Sequence, residues 1–568
     1  MTNPDGAADT GILDRVDRLY EFEREPVSAD RFESPRHFAA VFAGEHVAGT
    51  EFVIGALFVS WGVGARDLIV GLIVGNLLAV LSWTFICAPL AVETRLTLYW
   101  YLRRIAGPIM TAIYNLMNAV LFCVLAGTMI TVSASAIRIP LGIPSQVRWY
   151  PQNVQFVLVV CGVGAVVVTV AILGFHRLAQ FSTICVPWMF VMFIAGAVAM
   201  LPGLAAGTPE IGSITSWDDL SRLAALRIWV QDPHSQFTFW HVAAFAWICN
   251  LAFHLGLSDM AVLRYAPRAW YGIFSACGMY LGHFLAWLCA GVMGGAVAAL
   301  LNRPLADLDA GEVAWQSLGL SGILCVILAG WATSNPTLYR AGLALQTITP
   351  GWPRWLVTLL AGVFTTAVAC FPFVFSRLLE FVALFGILLA PMGAIVFAEH
   401  RLFPRLGLTR FWSSRRGDIV NVPALICWLA AVGAAVALSA TGTLDLFFVA
   451  IPIWVATVLV YPVLAAFGGA RARPPENPRA DRPGEPDAEL PPAAPPAPRR
   501  NRLWTKSAIA AAFVAALSLA ACLVLPFSVY AGGALPLESR LANYYSILAV
   551  ASTVHLIAAG FWVLKTEG

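Results

Sequence analysis

The stretch Trp331-Ala-Thr-Ser-Asn-Pro-Thr-Leu-Tyr-Arg340 sits in the middle of an apolar run, 321–347, that is long enough to cross a bilayer. Proline has no N–H to give, so Pro336 frees the carbonyl of Ala332 beside Thr333, Ser334 and Asn335. In hydrocarbon, backbone of that kind is tolerated only where it lines a cavity or is buried in protein. The run therefore predicts a helix broken at mid-membrane, where a polar solute or an ion could be held.

Composition supports the membrane setting. Of 568 residues, 59% are hydrophobic and only 12% charged, with a mean hydropathy of +0.76, which excludes an ordinary soluble globular protein. The expected architecture is all-α and integral to the membrane. Twelve core spans are read within 38–467 and two more in a C-terminal appendix, 506–568, each matching about 30 Å of hydrocarbon. Between them, 468–505 is rich in Pro, Ala and Arg, cannot bury a core, and predicts a disordered linker. Residues 1–37 hold no apolar run, so no cleavable signal peptide is expected and the segment reads as a mobile tail.

Arginine placement gives the orientation. Arg95, Arg103, Arg104, Arg264, Arg268 and the cluster from Arg401 to Arg416 fall on one side if both termini are cytoplasmic. Lysine occurs only at 506 and 565 while arginine and alanine abound, which hints at a bacterial inner membrane. The net charge of +3 reflects this topology and implies no nucleic-acid partner. The eleven cysteines lie in apolar spans without metal-ligand spacing, and read as small buried hydrophobes rather than disulfides or zinc ligands.

Ionisable groups within spans mark candidate chemistry. The first span, 38–61, contains Phe42-Ala-Gly-Glu-His-Val-Ala-Gly-Thr-Glu-Phe52, where two glycines bracket Glu45 and His46 and predict an unwound or cavity-facing segment. In the sixth, 237–262, Trp247, Asn250, His254 and Ser258 recur at helical spacing and would share one face suited to a planar, hydrogen-bonding solute. Asp259 and Arg264 read as a gate or a structural ion pair. In the eighth, the freed carbonyl of Ala332 with the hydroxyls of Thr333 and Ser334 offers hard oxygen donors to a cation, and Asn335 can donate and accept toward a heterocycle. The bland alternative is a proline kink whose hydroxyls cap backbone locally, with Arg340 snorkelling outward. Pro391 in the tenth span, 378–399, frees the carbonyl of Ile387 and suggests a gating kink; Glu380 reads as interfacial and His283 as a packing histidine. The connection 205–236 reads as an outer lid or an interfacial helix.

Five motifs in this order, GALFVSWGVG, GLIVGNLLAVL, LSDMAVLRYA, NPTLYRAGLALQ and LAPMGAIVFAEHR, resemble the nucleobase:cation symporter family, the permeases for cytosine, purines, allantoin and hydantoins, over about residues 38–467. The resemblance implies a leucine-transporter-like core in which spans one to five and six to ten are inverted repeats, with the first and sixth broken at the site. It further implies a planar solute between rings of the third and sixth spans, here Phe122 and Trp247, hydrogen-bonded from the sixth and eighth, here Asn250 and Asn335; Glu45, His46 and His254 join the expected set as polar groups within spans. The coupling ion, Na⁺ or H⁺, would meet the backbone of Val47, Ala48 and Ala332 and the side chains of Thr333 and Ser334, while Pro336, Pro391, Asp259 and Arg264 would serve gating. No other cofactor is expected, nor enzymatic chemistry, since the histidines at 46, 241, 254 and 283 show no paired ligand spacing. The third span departs from the family where Leu121-Phe-Cys-Val-Leu125 leaves Phe122 as the only ring. A same-fold symporter for an unrelated solute and a non-transporting sensor stay open, as does the oligomeric state.

Overall fold

The chain enters its first expected span at Pro35, placed where a helix start has no need of its missing N–H. The helix Pro35–His46 stops at Val47, and a second, Glu51–Ser60, begins four residues on, bent 52° from the first. The computed structural model describes residues 24–146, 148–372, 378–471, 505–531 and 535–567. Residues 1–23 and 472–504, and with them most of the expected tail and linker, lie outside the described residues, as does the side chain of Glu380.

The expected tail is not loose from residue 24 onward. Val27 N–H donates to the Arg95 carbonyl at 3.1 Å and Glu33 N–H to that of Tyr265 at 3.0 Å, so the lead-in is tied to the ends of the second and sixth spans. Both anchors are backbone bonds, which a search for apolar runs does not register.

The described residues are helical, with no strand. Among the described residues ten helices are long and apolar enough to cross a membrane, and the bent first pair, taken as one span, makes an eleventh. They include Ala65–Thr94, Pro108–Ile137, Val154–Leu173, Phe175–Ala206 and Ala269–Leu301, followed by Phe381–Leu406, Val422–Ala440 and Leu446–Ala470. The other expected spans fall on the sixth segment, on Leu320–Gln346 and on the shorter Arg354–Ala369. The chain is a multi-pass membrane protein.

The break that the resemblance implies in the sixth segment is present, and the one read from Pro336 in the eighth is not. The sixth segment, not the eighth, is interrupted: Phe239–Ile248 ends before Asn250, a single turn Leu251–His254 follows, and the chain loops through Leu257 at φ 65° before Met260–Leu263. Trp247, Asn250, His254 and Ser258 therefore do not share one helical face. Wide turns satisfy the backbone there, with Ser258 N–H on the Ala252 carbonyl at 3.1 Å and Asp259 N–H on that of Phe253 at 3.1 Å. The Leu255 carbonyl accepts from the Trp454 indole at 3.2 Å, and the tenth helix presses so close to it that a Cβ on Gly393 would lie 1.9 Å away.

The eighth helix, Leu320–Gln346, runs unbroken through Pro336. Its hydroxyls bond back along the helix, Ser334 to the Gly330 carbonyl at 2.5 Å and Thr337 to that of Thr333 at 2.7 Å. Packing along the third helix, where Gly330 lets Ser133 and the Met129 carbonyl approach, holds it continuous despite the missing donor. Pro391 is likewise inside a continuous helix, Leu378–Phe397.

The connection 205–236 forms a short helix, Trp217–Leu223, capped by Ser216 and Asp219, and then folds back over the first-to-second span turn. There Gly64 N–H donates to Gln231 Oε1 at 2.8 Å and Ser235 to the Trp61 carbonyl at 2.5 Å. The appendix packs on the core: Tyr530 donates to the Val198 carbonyl at 3.1 Å, Ser552 meets Ser321 at 3.1 Å, and Tyr545 donates to the Gln316 carbonyl.

Candidate functional site

Both broken segments open onto one cavity of about 780 Å³, mouth included. Its polar wall comes from the first span (Glu45, His46, Thr50, Glu51), the sixth (Asn250), the seventh (His283) and the eighth (Thr333, Thr337). Phe253, Phe385, Leu125 and Met129 are among its apolar members. Neither Lys nor Arg is among the residues that line it.

Glycines bring the walls together. A Cβ on Gly282 would stand 2.2 Å from the His46 carbonyl, and one on Gly55 2.5 Å from that of Trp287, so the seventh helix can lie directly on both halves of the first. This contact fixes the polar cluster. The Trp287 indole donates to Glu51, and His283 stacks on Trp287 with ring centres 4.1 Å apart. His283 also reaches the Asn250 amide at 3.4 Å and faces the His46 ring at 4.9 Å. His46 is oriented by its Nδ1, which lies 2.6 Å from the Phe42 carbonyl.

Beneath this wall lies a buried charge cluster. Arg340 Nη2 stands 3.0 Å from Glu45 and 2.5 Å from Asp259, whose other oxygen accepts from the Trp83 indole at 2.5 Å. The Arg340 guanidinium also covers the Phe253 ring at 4.8 Å. Arg340, at 1% exposure, is buried and turned inward rather than snorkelling, because two carboxylates from the first and sixth breaks meet it there. Asp259 thus pairs with Arg340; Arg264 bonds to the Ala261 carbonyl and to the hydroxyls of Tyr265 and Tyr339. Glu51 has no ion-pair partner among the described residues.

Of the residues expected to meet solute, Glu45, His46 and Asn250 are on the cavity wall. Trp247 is turned away, its indole donating to Ser82 at 3.1 Å, and His254 bonds to the Trp247 carbonyl at 3.0 Å. Phe122 stands one layer back, behind Phe253 and Phe385 with ring centres 5.8 and 5.1 Å distant. Asn335 is 1% exposed and off the wall, with neither amide atom hydrogen-bonded.

Of the expected cation contacts, Ala48 and Thr333 line the cavity, and Thr333 donates to the Glu45 carbonyl at 3.1 Å. Val47, Ala332 and Ser334 are buried off the wall. Glu51, His283, Phe253 and Phe385 are among the wall residues that sequence reasoning left out of the binding set. Glu51 carried a signal, an intramembrane carboxylate; His283 had only its type.

Comparison with solved structures follows this geometry. The chain covers 98% of Mhp1, described as a nucleobase-cation-symport-1 family transporter in a closed conformation with bromovinylhydantoin bound, at 16% identity and TM-score 0.61, over 83% of its own length. The chain shares that fold. It also matches an inward-facing conformation of Mhp1 at TM-score 0.58, with 16% identity, covering 78% of this chain and 93% of that one. A Na⁺-coupled sialic acid symporter in a substrate-bound outward-open state matches at TM-score 0.55, with 13% identity over 80% of this chain and 96% of that one. No family model matches the sequence, and no curated protein matches it. The all-helical core with paired breaks in its first and sixth segments is thus the leucine-transporter-like arrangement that the sequence motifs imply.

Proposed function

We propose that this protein is a cation-coupled secondary transporter that carries a small, planar, nitrogenous heterocycle across the membrane by alternating access, as a member of the nucleobase:cation symporter family. The observation that carries this reading is the cavity where two broken segments meet inside a fold that spans nearly all of Mhp1. Broken helices at mid-membrane supply backbone and side-chain polarity where lipid supplies none.

The wall suits such a solute. Asn250, Thr50, Thr333 and Thr337 can donate and accept hydrogen bonds, and Phe253 and Phe385 offer ring faces or edges to a flat ligand. Two carboxylates and no Lys or Arg on the wall disfavour an anionic solute such as sialic acid, and favour a neutral or cationic heterocycle. Glu45 and Asp259 share one guanidinium, which leaves the site short of positive charge. A travelling cation, Na⁺ or a proton, would balance it. Nothing in this scheme calls for covalent chemistry, and the expected setting is a bacterial inner membrane with both termini cytoplasmic.

Uptake into proteoliposomes tests the proposal, with radiolabelled cytosine, hypoxanthine, uracil and allantoin under imposed Na⁺ or H⁺ gradients. Gradient-driven accumulation of one of them is expected, and it names the ion. No flux of any, from protein shown to be folded, would remove the heterocycle reading.

A further inference from the structure

A second cluster, away from the cavity, joins the lead-in to the first helix with the start of the fifth. Glu33 precedes Pro35–His46, His37 lies in its first turns, and His176 opens Phe175–Ala206. One carboxylate bridges both rings: Glu33 Oε2 is 2.6 Å from His37 Nδ1, and Glu33 Oε1 is 3.2 Å from His176 Nδ1. One ligand atom from each of the three residues falls within 4.8 Å of the others. Glu33 and His37 are buried, whereas the His176 side chain is 40% exposed and leaves a path for entry.

From this geometry we propose that Glu33, His37 and His176 form a binding site for a divalent transition-metal ion such as Zn²⁺. Two imidazoles and a carboxylate are a three-ligand set for zinc, with the fourth position left to water. Zinc–nitrogen and zinc–oxygen bonds of about 2.0–2.2 Å in a tetrahedron separate ligand atoms by about 3.4 Å. With one atom from each residue, the set already lies within 4.8 Å, about 1.4 Å beyond that spacing at most, so side-chain rotations would admit the ion. On binding, the metal would displace the hydrogen between the carboxylate and each ring Nδ1; a neutral ring would carry its N–H at Nε2 instead, and a protonated ring would release one proton to solvent. With Nδ1 on the metal, His176 Nε2 carries the N–H, so Gln180, whose amide nitrogen now faces that atom at 3.2 Å while its oxygen accepts from Arg177 at 2.7 Å, would turn its amide over to accept from the outer ring.

The consequence is mechanical. His37 and His46 lie on the same half-helix, nine residues or about 14 Å apart. An ion joining His37 to His176 would clamp the half-helix that carries Glu45 and His46 against the fifth helix. This effect on transport rests on the proposed function; the binding itself does not.

The test is a titration of the purified full chain, stripped with chelator, with ZnCl₂ or MgCl₂ by calorimetry and thermal unfolding. One Zn²⁺ per chain, a raised Tm and no response to Mg²⁺ are expected. His176→Ala, at a half-exposed position that should still fold, would abolish both effects, and His241→Ala would not. Zinc binding unchanged in His176→Ala, or no binding to the wild type, would overturn the site. In proteoliposomes Zn²⁺ should slow heterocycle uptake by the wild type but not by His176→Ala. Absence of uptake under every condition would count against the transport reading while leaving the binding result to stand.

Discussion

Arg340 is the single side chain on which the charge balance of the site depends. Its guanidinium is the contact common to Glu45 and Asp259, two carboxylates brought in by separate breaks. Removing one partner from such a buried arrangement costs about 3–5 kcal/mol, because the charges left behind have no compensation. Arg340→Met should therefore lower unfolding stability in detergent by about that amount, and Arg340→Met with Asp259→Asn should recover part of it; equal loss in both would mean that packing against Phe253, not charge, is what Arg340 supplies. Asn335 presents the opposite case. Both of its amide atoms are buried and unpaired, a state worth about 1–3 kcal/mol of lost stability for each unsatisfied group. Such a cost is characteristic of functional positions. Asn335→Ala should unfold at the same or a higher Tm while losing uptake, and a lower Tm with uptake intact would remove Asn335 from the transport machinery.

At the scale of elements, the breaks in the first and sixth segments are stabilised by neighbours as much as by their own sequence. The first break was legible: two glycines around Glu45 and His46 are a local feature, and so is the loss of helix propensity they cause. The continuity of the eighth helix was not, because Pro336 predicts a break locally and the third helix, packed against Gly330, prevents it. The sixth segment's apparent polar stripe failed for the same reason, since helical spacing says nothing about a chain that a carbonyl-capping Trp454 and a close-packed Gly393 hold unwound. Glu45, His46 and Asn250 were legible on the cavity wall by residue type and membrane depth, whereas His283 depended on a Gly282 contact that no periodicity reveals. That contact is testable. Gly282→Ala would drive a methyl into the His46 carbonyl, an overpacking worth about 1–3 kcal/mol, and uptake should fall with stability. Gly433→Ala, where nothing lies within 4 Å, should leave uptake unchanged and by helix propensity add up to about 1 kcal/mol of stability. Equal behaviour of the two variants would show that the seventh helix has no special approach to the first break.

For the whole molecule, the question is what the last two helices add. Lys506–Tyr530 and Leu537–Thr566 pack on the fifth and eighth helices, but no residue from either lines the cavity. Their contacts with the core are a few hydroxyl bonds, Tyr530 to Val198, Ser552 to Ser321 and Tyr545 to Gln316, amid apolar packing. In a bilayer, lipid tails can replace that apolar surface at little cost, and interhelical hydrogen bonds are worth only about 0.6–2 kcal/mol each. A chain ending at residue 471 should therefore still insert and take up solute with the wild-type KM, at a Tm lowered by loss of those bonds. Uptake kinetics and thermal unfolding of the truncated and full chains, purified side by side, check this. A truncated chain that remains folded but no longer transports would mean that the appendix controls the motion of the fifth and eighth helices; the moving parts of the site would then extend beyond the spans that line the cavity.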